Sequence, residues 1–237
     1  MPTLNAKIRD AIQHFRGTLP PEITSLIEQG AGEISALDIV ERALRPKMGV
    51  PGFELEKYGG GTGKLKDYLD RGPLVLTFYR GVWCPYCNLQ LREYDGRLHE
   101  ITRLGASLVA VTPEMPGAVD RLQAAGVPED VISGAVTSVG FDVLHDAGNT
   151  LAEKCGLVFE LPKSHRDVLD QIGIDVKALT GNGSYMVADP ATYVVGQDGL
   201  VFRAFVPNNY RKRTEVDSII EALRDLAQAD GAEKAYV

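Results

Sequence analysis

Two cysteines three residues apart, in Trp83-Cys84-Pro85-Tyr86-Cys87, follow directly on the apolar run Leu74-Val75-Leu76-Thr77-Phe78-Tyr79. That order describes a strand turning into a helix with both thiols at the junction. Pro85 suits the first helical position, where its missing N–H would have had no partner and its fixed φ is already helical. Cys84 is then the N-cap. Behind it Cys87, Leu91, Tyr94, Leu98 and Ile101 recur at steps of 4, 3, 4 and 3, one face of an amphipathic helix running to about Leu104. The thiols are therefore unequal. Cys84 is expected at the exposed end, where unpaired N–H groups and the positive end of the helix dipole favour a thiolate, and Cys87 one turn in on the buried stripe. Cys84 is read as the attacking sulfur and Cys87 as its partner.

Other uses of such a pair fit poorly. A structural zinc site needs four ligands, and only Cys155 and the scattered His14, His99, His145 and His165 remain. No metal and no cofactor are expected. Three cysteines are too few for a disulfide framework and suit a reducing compartment, where the pair would cycle between dithiol and disulfide. The apolar runs are far shorter than the roughly 20 residues that span a bilayer. The opening Met1-Pro2-Thr3-Leu4-Asn5-Ala6-Lys7 is too polar to lead into a signal peptide, so the chain is expected to be soluble and cytoplasmic. A net charge of −7 disfavours nucleic acid and anionic membrane as partners. The one basic cluster, Arg211-Lys212-Arg213, is read as a solvated approach to the last helix.

Residues 1–45 read as a helical extension: Leu4, Ile8, Ala11, Ile12 and Phe15 make one stripe, Gly17 and Pro20-Pro21 interrupt it, and Ile23, Leu26, Ile27, Leu37, Ile39, Val40 and Leu44 resume it. Those apolar faces need cover from the main domain, residues 46–237, or from a second copy of the chain in a homodimer. Gly59-Gly60-Gly61-Thr62-Gly63-Lys64 reads as a flexible turn. It is no phosphate loop, because Tyr58 stands where that motif needs its first Gly and Leu65 where it needs Ser or Thr. Strands and helices then alternate: strand 74–79, helix 85–104, strand 107–112, helix 116–125, a strand near 141–144, a short helix at 149–155 and a helical piece at 166–172. Strands 191–195 and 200–206 are joined by Gln197-Asp198-Gly199, a hairpin signal. A helix at 215–227 closes the chain. The fold class is α/β, a mixed central sheet covered by helices on both faces.

Three stretches resemble the thioredoxin superfamily, and more closely the peroxiredoxin-like proteins of the alkyl hydroperoxide reductase and thiol-specific antioxidant (AhpC/TSA) group. They are Phe78-Tyr79-Arg80-Gly81-Val82-Trp83-Cys84-Pro85-Tyr86-Cys87, Leu104-Gly105-Ala106-Ser107-Leu108-Val109-Ala110-Val111-Thr112-Pro113 and Asp189-Pro190-Ala191-Thr192-Tyr193-Val194-Val195. The likeness spans roughly residues 46–228 and implies a thioredoxin-like fold. It also implies a cis Pro190 facing the cysteine pair, with Asp189 and Thr192 shaping a substrate groove and Trp83, Pro85 and Arg80 shaping the cysteine side. The group's usual Thr, three residues before the attacking Cys, is replaced by Gly81 if Cys84 attacks and by Cys84 if Cys87 does. Its usual Arg falls at or next to Pro190, which leaves Arg80 or Arg203 as substitutes, each read first as a surface or packing residue.

The resemblance implies reduction of hydrogen peroxide or organic hydroperoxides: Cys84 becomes a sulfenic acid, Cys87 condenses with it to a disulfide, and a thioredoxin-, glutaredoxin- or glutathione-type reductant restores the dithiol. Two other readings use the same sulfurs, a thiol–disulfide oxidoreductase and a redox sensor whose N-terminal helices supply a partner surface. Cys155, among apolar neighbours, is expected to be buried and inert.

Overall fold

The apolar run that precedes the cysteines becomes a wholly buried strand at the middle of a seven-stranded sheet. A computed structural model describes residues 2–207 and 209–234. The chain opens with three helices, α1 (Leu4–Thr18), α2 (Pro21–Ser35) and the single turn α3 (Ile39–Arg42). The hairpin β1 (Glu54–Lys57) and β2 (Thr62–Lys64) and the short helix α4 (Leu65–Leu69) follow. The central part is β3 (Leu74–Phe78), α5 (Pro85–Gly96), α6 (Leu98–Thr102), β4 (Ser107–Thr112), α7 (Ala118–Ala124), α8 (Glu129–Ile132), β5 (Asp142–His145) and α9 (Thr150–Lys154). Then come β6 (Val158–Glu160), α10 (Lys163–Gln171), α11 (Val176–Thr180), β7 (Met186–Ala188), β8 (Ala191–Val195), β9 (Val201–Phe205) and α12 (Val216–Lys234).

The sheet order is β2-β1-β5-β4-β3-β8-β9, and β6 and β7 form a small separate ribbon. The core pairs β3–β4 and β4–β5 are parallel, while β8 and β9 run antiparallel on the other side of β3. Helices cover both faces of β3, which is why Leu-Val-Leu-Thr-Phe reads as a continuous apolar run and not as an alternation. The turn at Asp198-Gly199 joins β8 to β9, with Gly199 at φ 79°, the left-handed conformation that makes glycine useful there.

Three local departures from the sequence reading have plain causes. The segment 59–64 is a built hairpin: Leu55 pairs with Gly63, and a Cβ on Gly63 would stand 2.5 Å from the Tyr68 hydroxyl. Glycine there is required by close packing, not by flexibility. The helix after the cysteines stops at Gly96, because Arg97 leaves helical geometry at φ −115°, ψ 13° and bonds Glu100 and Asp217. The chain restarts as α6 on the same apolar stripe. The Asp189–Pro190 bond is trans, since among the described residues there is no cis peptide bond. β7 ends at Ala188 and β8 begins at Ala191, and the trans link carries the chain from one to the other.

The apolar faces of the N-terminal helices are covered in part by this chain itself, with Ile12, Phe15, Leu26 and Ile27 half-buried and Val40 exposed. Leu4, Ile8 and Ile34 are buried, α1 lies against α5 and α2 against α10. Glu215, just ahead of α12, accepts from the N–H groups of Leu4 and Asn5 at 2.9 Å each, which holds the start of α1. A Cβ on Gly30 would stand 2.1 Å from His165 Nδ1, so only glycine lets α2 approach α10 this closely. Among the described residues no helix is long and apolar enough to cross a membrane.

Candidate active site

Cys84 caps α5 as its spacing implies, with Pro85 at the first helical position and Cys87 N–H donating to the Cys84 carbonyl at 3.0 Å. Asn88 ties the turn down: its Nδ2 donates to the Val82 carbonyl at 2.7 Å and its Oδ1 accepts from Val136 N–H. The expected exposure of Cys84 is wrong. Both Cys84 and Cys87 are fully buried free thiols. Aromatic and cationic side chains from distant segments close over the helix end, a cover that no local pattern announces.

Each sulfur faces one arginine. Arg80 Nη2 donates to Cys84 Sγ at 3.0 Å and Arg213 Nη2 to Cys87 Sγ at 3.1 Å. Arg80 is 3% exposed and, among the described residues, has no carboxylate partner and no hydrogen bond at its Nε and Nη1; its guanidinium lies over the rings of Tyr210 at 4.2 Å and Trp83 at 5.0 Å. A buried cation needs an anion, and the sulfur is the acceptor it has. Burial alone would raise the Cys84 thiol. A hydrogen bond from Cys87 and the charges of Arg80 and Arg213 outweigh it and hold Cys84 well below the ordinary thiol range. Cys87 moves the other way, raised by burial and by its bond and charge interaction with Cys84. The pair thus favours a thiolate on Cys84 over one on Cys87.

The remaining sequence candidates divide. Trp83 joins the site through Arg80, and Pro85 does so only by starting α5. Asp189 lies in the field of Arg213 and Arg80, 2% exposed and with Oδ1 unpartnered; burial pushes it up to about 7, and the two arginines oppose that rise. With Pro190 trans, no groove is built on a cis bond. Thr192 belongs to a polar network between sheet and helix, 2.9 Å from Thr77 Oγ1, which in turn accepts from Gln90. Arg203 pairs with Asp225 at 3.1 Å on the surface and takes no part. Cys155 is buried, its thiol pushed up to about 12 by burial and the Asp146 charge.

Sequence reasoning missed Arg213, Tyr210, His165 and Glu114. Arg211 and Arg213 are 9% and 5% exposed, not the solvated cluster that the run suggests. Arg211 pairs with Glu28 of α2 at 3.0 Å, and Arg213 is held by the carbonyls of Tyr210 and Lys212. His165 Nε2 and the Tyr210 hydroxyl share a hydrogen bond of 2.9 Å, and burial, then Arg80 and Arg211, press His165 down to about 3. Among the described residues no three of His, Cys, Asp or Glu stand together as a metal site.

Asp189 gives the site a pH signature. Its proton is held to about 7 in the fold and to about 3.9 in an unfolded chain. Between those values the native state binds more protons, so this group's contribution to stability falls as pH rises. Asp189→Asn removes the dependence. Its thermal stability relative to wild type is expected to improve steadily from pH 4.5 to pH 7.5, by at most about 1.4 kcal/mol per pH unit, and a pH-independent difference in thermal melts would contradict the assignment.

The sequence profile of the AhpC/TSA family matches residues 47–204. No curated protein gives a significant match. Among solved structures, the peroxidoxin BcpB of Mycobacterium tuberculosis superposes with a TM-score of 0.53 at 21% identity, covering 77% of this chain and 98% of its own. The reduced 2-Cys peroxiredoxin of Plasmodium vivax gives 0.57 at 15% identity, covering 78% and 83%. A yeast mitochondrial 1-Cys peroxiredoxin, described with thiol resolution through glutathione and thioredoxin systems, gives 0.54 at 16%, covering 79% and 78%. At these identities the likeness speaks for the fold, and the profile match over most of the chain speaks for the family. The chain therefore belongs to the AhpC/TSA family: it is a peroxiredoxin-like thiol peroxidase of the thioredoxin superfamily.

Proposed function

We propose that the chain reduces peroxides through Cys84 as the attacking thiolate and Cys87 as the resolving thiol. The observation that carries this reading is the 3.0 Å contact from the buried Arg80 guanidinium to Cys84 Sγ, a cation whose acceptor is a sulfur and which, with the hydrogen bond from Cys87 and the charge of Arg213, favours the ionised form of that sulfur. The Cys84 thiolate attacks one peroxide oxygen; the S–O bond forms, the O–O bond breaks, and the second oxygen leaves as water or alcohol after gaining a proton. Cys84 is then a sulfenic acid. Cys87 attacks its sulfur, water departs with the Cys87 proton and the hydroxyl, and a Cys84–Cys87 disulfide remains. A thioredoxin-, glutaredoxin- or glutathione-type thiol supplies the two electrons that restore the dithiol.

Full burial of both sulfurs favours a small oxidant over a folded protein disulfide, which weighs against the oxidoreductase alternative. The comparison that tests this is consumption of hydrogen peroxide against reduction of insulin disulfides by the same reduced protein. Peroxide is expected to be consumed with one disulfide formed per molecule of peroxide. Brisk insulin reduction without peroxide consumption would assign the pair to thiol–disulfide exchange instead.

A further inference from the structure

Arg80 is a buried cation that rests on aromatic rings where a buried arginine ordinarily has a carboxylate. Its Cζ lies 4.2 Å from the centre of the Tyr210 ring and 5.0 Å from that of Trp83, while Nη2 donates to Cys84 Sγ at 3.0 Å. The difference is chemical. A carboxylate would occupy the N–H donors and cancel the charge, whereas an aromatic face attracts the cation through its quadrupole and leaves both available to the sulfur.

The two rings arrive by different routes. Trp83 is a sequence neighbour of the cysteine, in a turn that Glu114 fixes by accepting from the Val82 N–H at 2.9 Å. Tyr210 comes from far along the chain and is 2% exposed. Its hydroxyl shares a 2.9 Å hydrogen bond with His165 Nε2 and accepts from Arg211 Nε at 3.3 Å. Both of those pins rest on α2. Arg211 Nη1 donates to the two Glu28 carboxylate oxygens at 3.1 and 3.0 Å and Nη2 to the Ile27 carbonyl at 3.1 Å, and His165 packs on Gly30, where a Cβ would stand 2.1 Å from Nδ1. Neither α2 nor Tyr210 falls within the residues 47–204 that match the family profile. The floor under Arg80 is therefore built from parts of the chain that the profile does not reach.

We propose that Tyr210 is a positioning residue for the reaction, its pinned ring holding the Arg80 guanidinium against the Cys84 sulfur. This rests on the reading of Cys84 as the attacking thiolate. Without the ring, the guanidinium loses the surface that keeps it facing the sulfur, and the sulfur answers the weaker cation by taking a proton more readily. The other titratable and charged groups that bear on Arg80 and Cys84 are Cys87 and Tyr86 of α5, Arg213, His165 of α10, Asp189 and Glu114. Asp189 and Glu114, pushed up to about 7 and about 8 chiefly by burial, are present in every variant below, so a displacement between variants reports Cys84.

The test is the pH profile of iodoacetamide alkylation in the reduced full chain, read at Cys84 by mass spectrometry. Tyr210→Leu is expected to raise the midpoint by about one unit, and Tyr210→Phe, which keeps the ring, by less than about a third of that. In the Arg80→Met background, Tyr210→Leu should move the midpoint no further than Tyr210→Phe does in wild type, because the ring acts through the cation. An unmoved midpoint in Tyr210→Leu, an equal rise in Tyr210→Phe, or an undiminished rise in the Arg80→Met background would overturn the proposal. Should Tyr210→Leu lose the fold, adding Arg80→Met should restore it, since the cation deprived of its ring is then gone; a double variant that stays unfolded would overturn the proposal equally. Alkylation needs no peroxide, so consumption of hydrogen peroxide by the same wild-type sample decides the peroxidase reading separately.

Discussion

Cys84→Ser is expected to reduce peroxide consumption to background and also to lower the melting temperature. The first effect is chemical, because an alcohol stays protonated at neutral pH and cannot replace a thiolate as nucleophile. The second follows from Arg80. Its guanidinium is buried, without a carboxylate partner among the described residues, and donates to the sulfur at 3.0 Å; a serine hydroxyl offers an acceptor but no charge. Leaving a buried charge poorly matched costs about 1–3 kcal/mol, or about 2–4 °C per kcal/mol for a chain of this length. Calorimetry of Cys84→Ser against Cys84→Ser/Arg80→Met separates this from a packing defect: the second substitution should return most of the lost stability, and additive losses would refute the pairing.

Arg80→Met alone is expected to divide activity from stability. Losing a hydrogen bond to a charged group removes about 1.5–3 kcal/mol. That corresponds to a rise of roughly one to two units in the Cys84 thiol and to a slower peroxide reaction on the acid side of the pH profile. The fold should tolerate the change. Exchanging a buried charged pair for an apolar side chain of similar volume is often neutral or stabilising, and the thiol answers the loss of its cation by taking a proton. The pH profile of iodoacetamide alkylation should shift upward by those one to two units while the melting temperature holds or rises. An unmoved profile would show that Arg80 does not ionise the sulfur.

The parts of this molecule governed by local rules could be read from the sequence, and the parts assembled across the chain could not. β3, the cap at Cys84, β4 and the β8–β9 hairpin each follow from a short pattern: an apolar run, a proline at the first helical position, an Asp-Gly turn. The inequality of the two thiols was legible for the same reason, although its cause was not. The hydrogen bond between the two sulfurs lowers Cys84 and raises Cys87, while the charges of Arg80 and Arg213 favour ionisation of both. Arg80 lies four residues from its sulfur and could be singled out. Arg213 reaches Cys87 from 126 residues away, inside an Arg-Lys-Arg run whose composition is that of a solvated surface. The surroundings of the cysteine helix likewise come from far along the chain, with α1 packed on α5 and Tyr210 under the Arg80 guanidinium. Glu114 gave no signal at all, since a single glutamate after a strand ordinarily faces water. The expectation for Pro190 failed differently, because a general property of a fold was carried onto one bond that this chain keeps trans.

The most direct test of the whole scheme is to map the sulfurs after one equivalent of hydrogen peroxide. The reduced wild type should lose two hydrogens, and non-reducing peptide mapping should place a disulfide between Cys84 and Cys87 within one chain. In Cys87→Ser the same treatment with dimedone should label Cys84 alone. A dimedone adduct on Cys87 or Cys155, or a dominant link from Cys84 to Cys155, would contradict the assignment of Cys84 as the peroxide-reducing thiolate and Cys87 as its resolving partner.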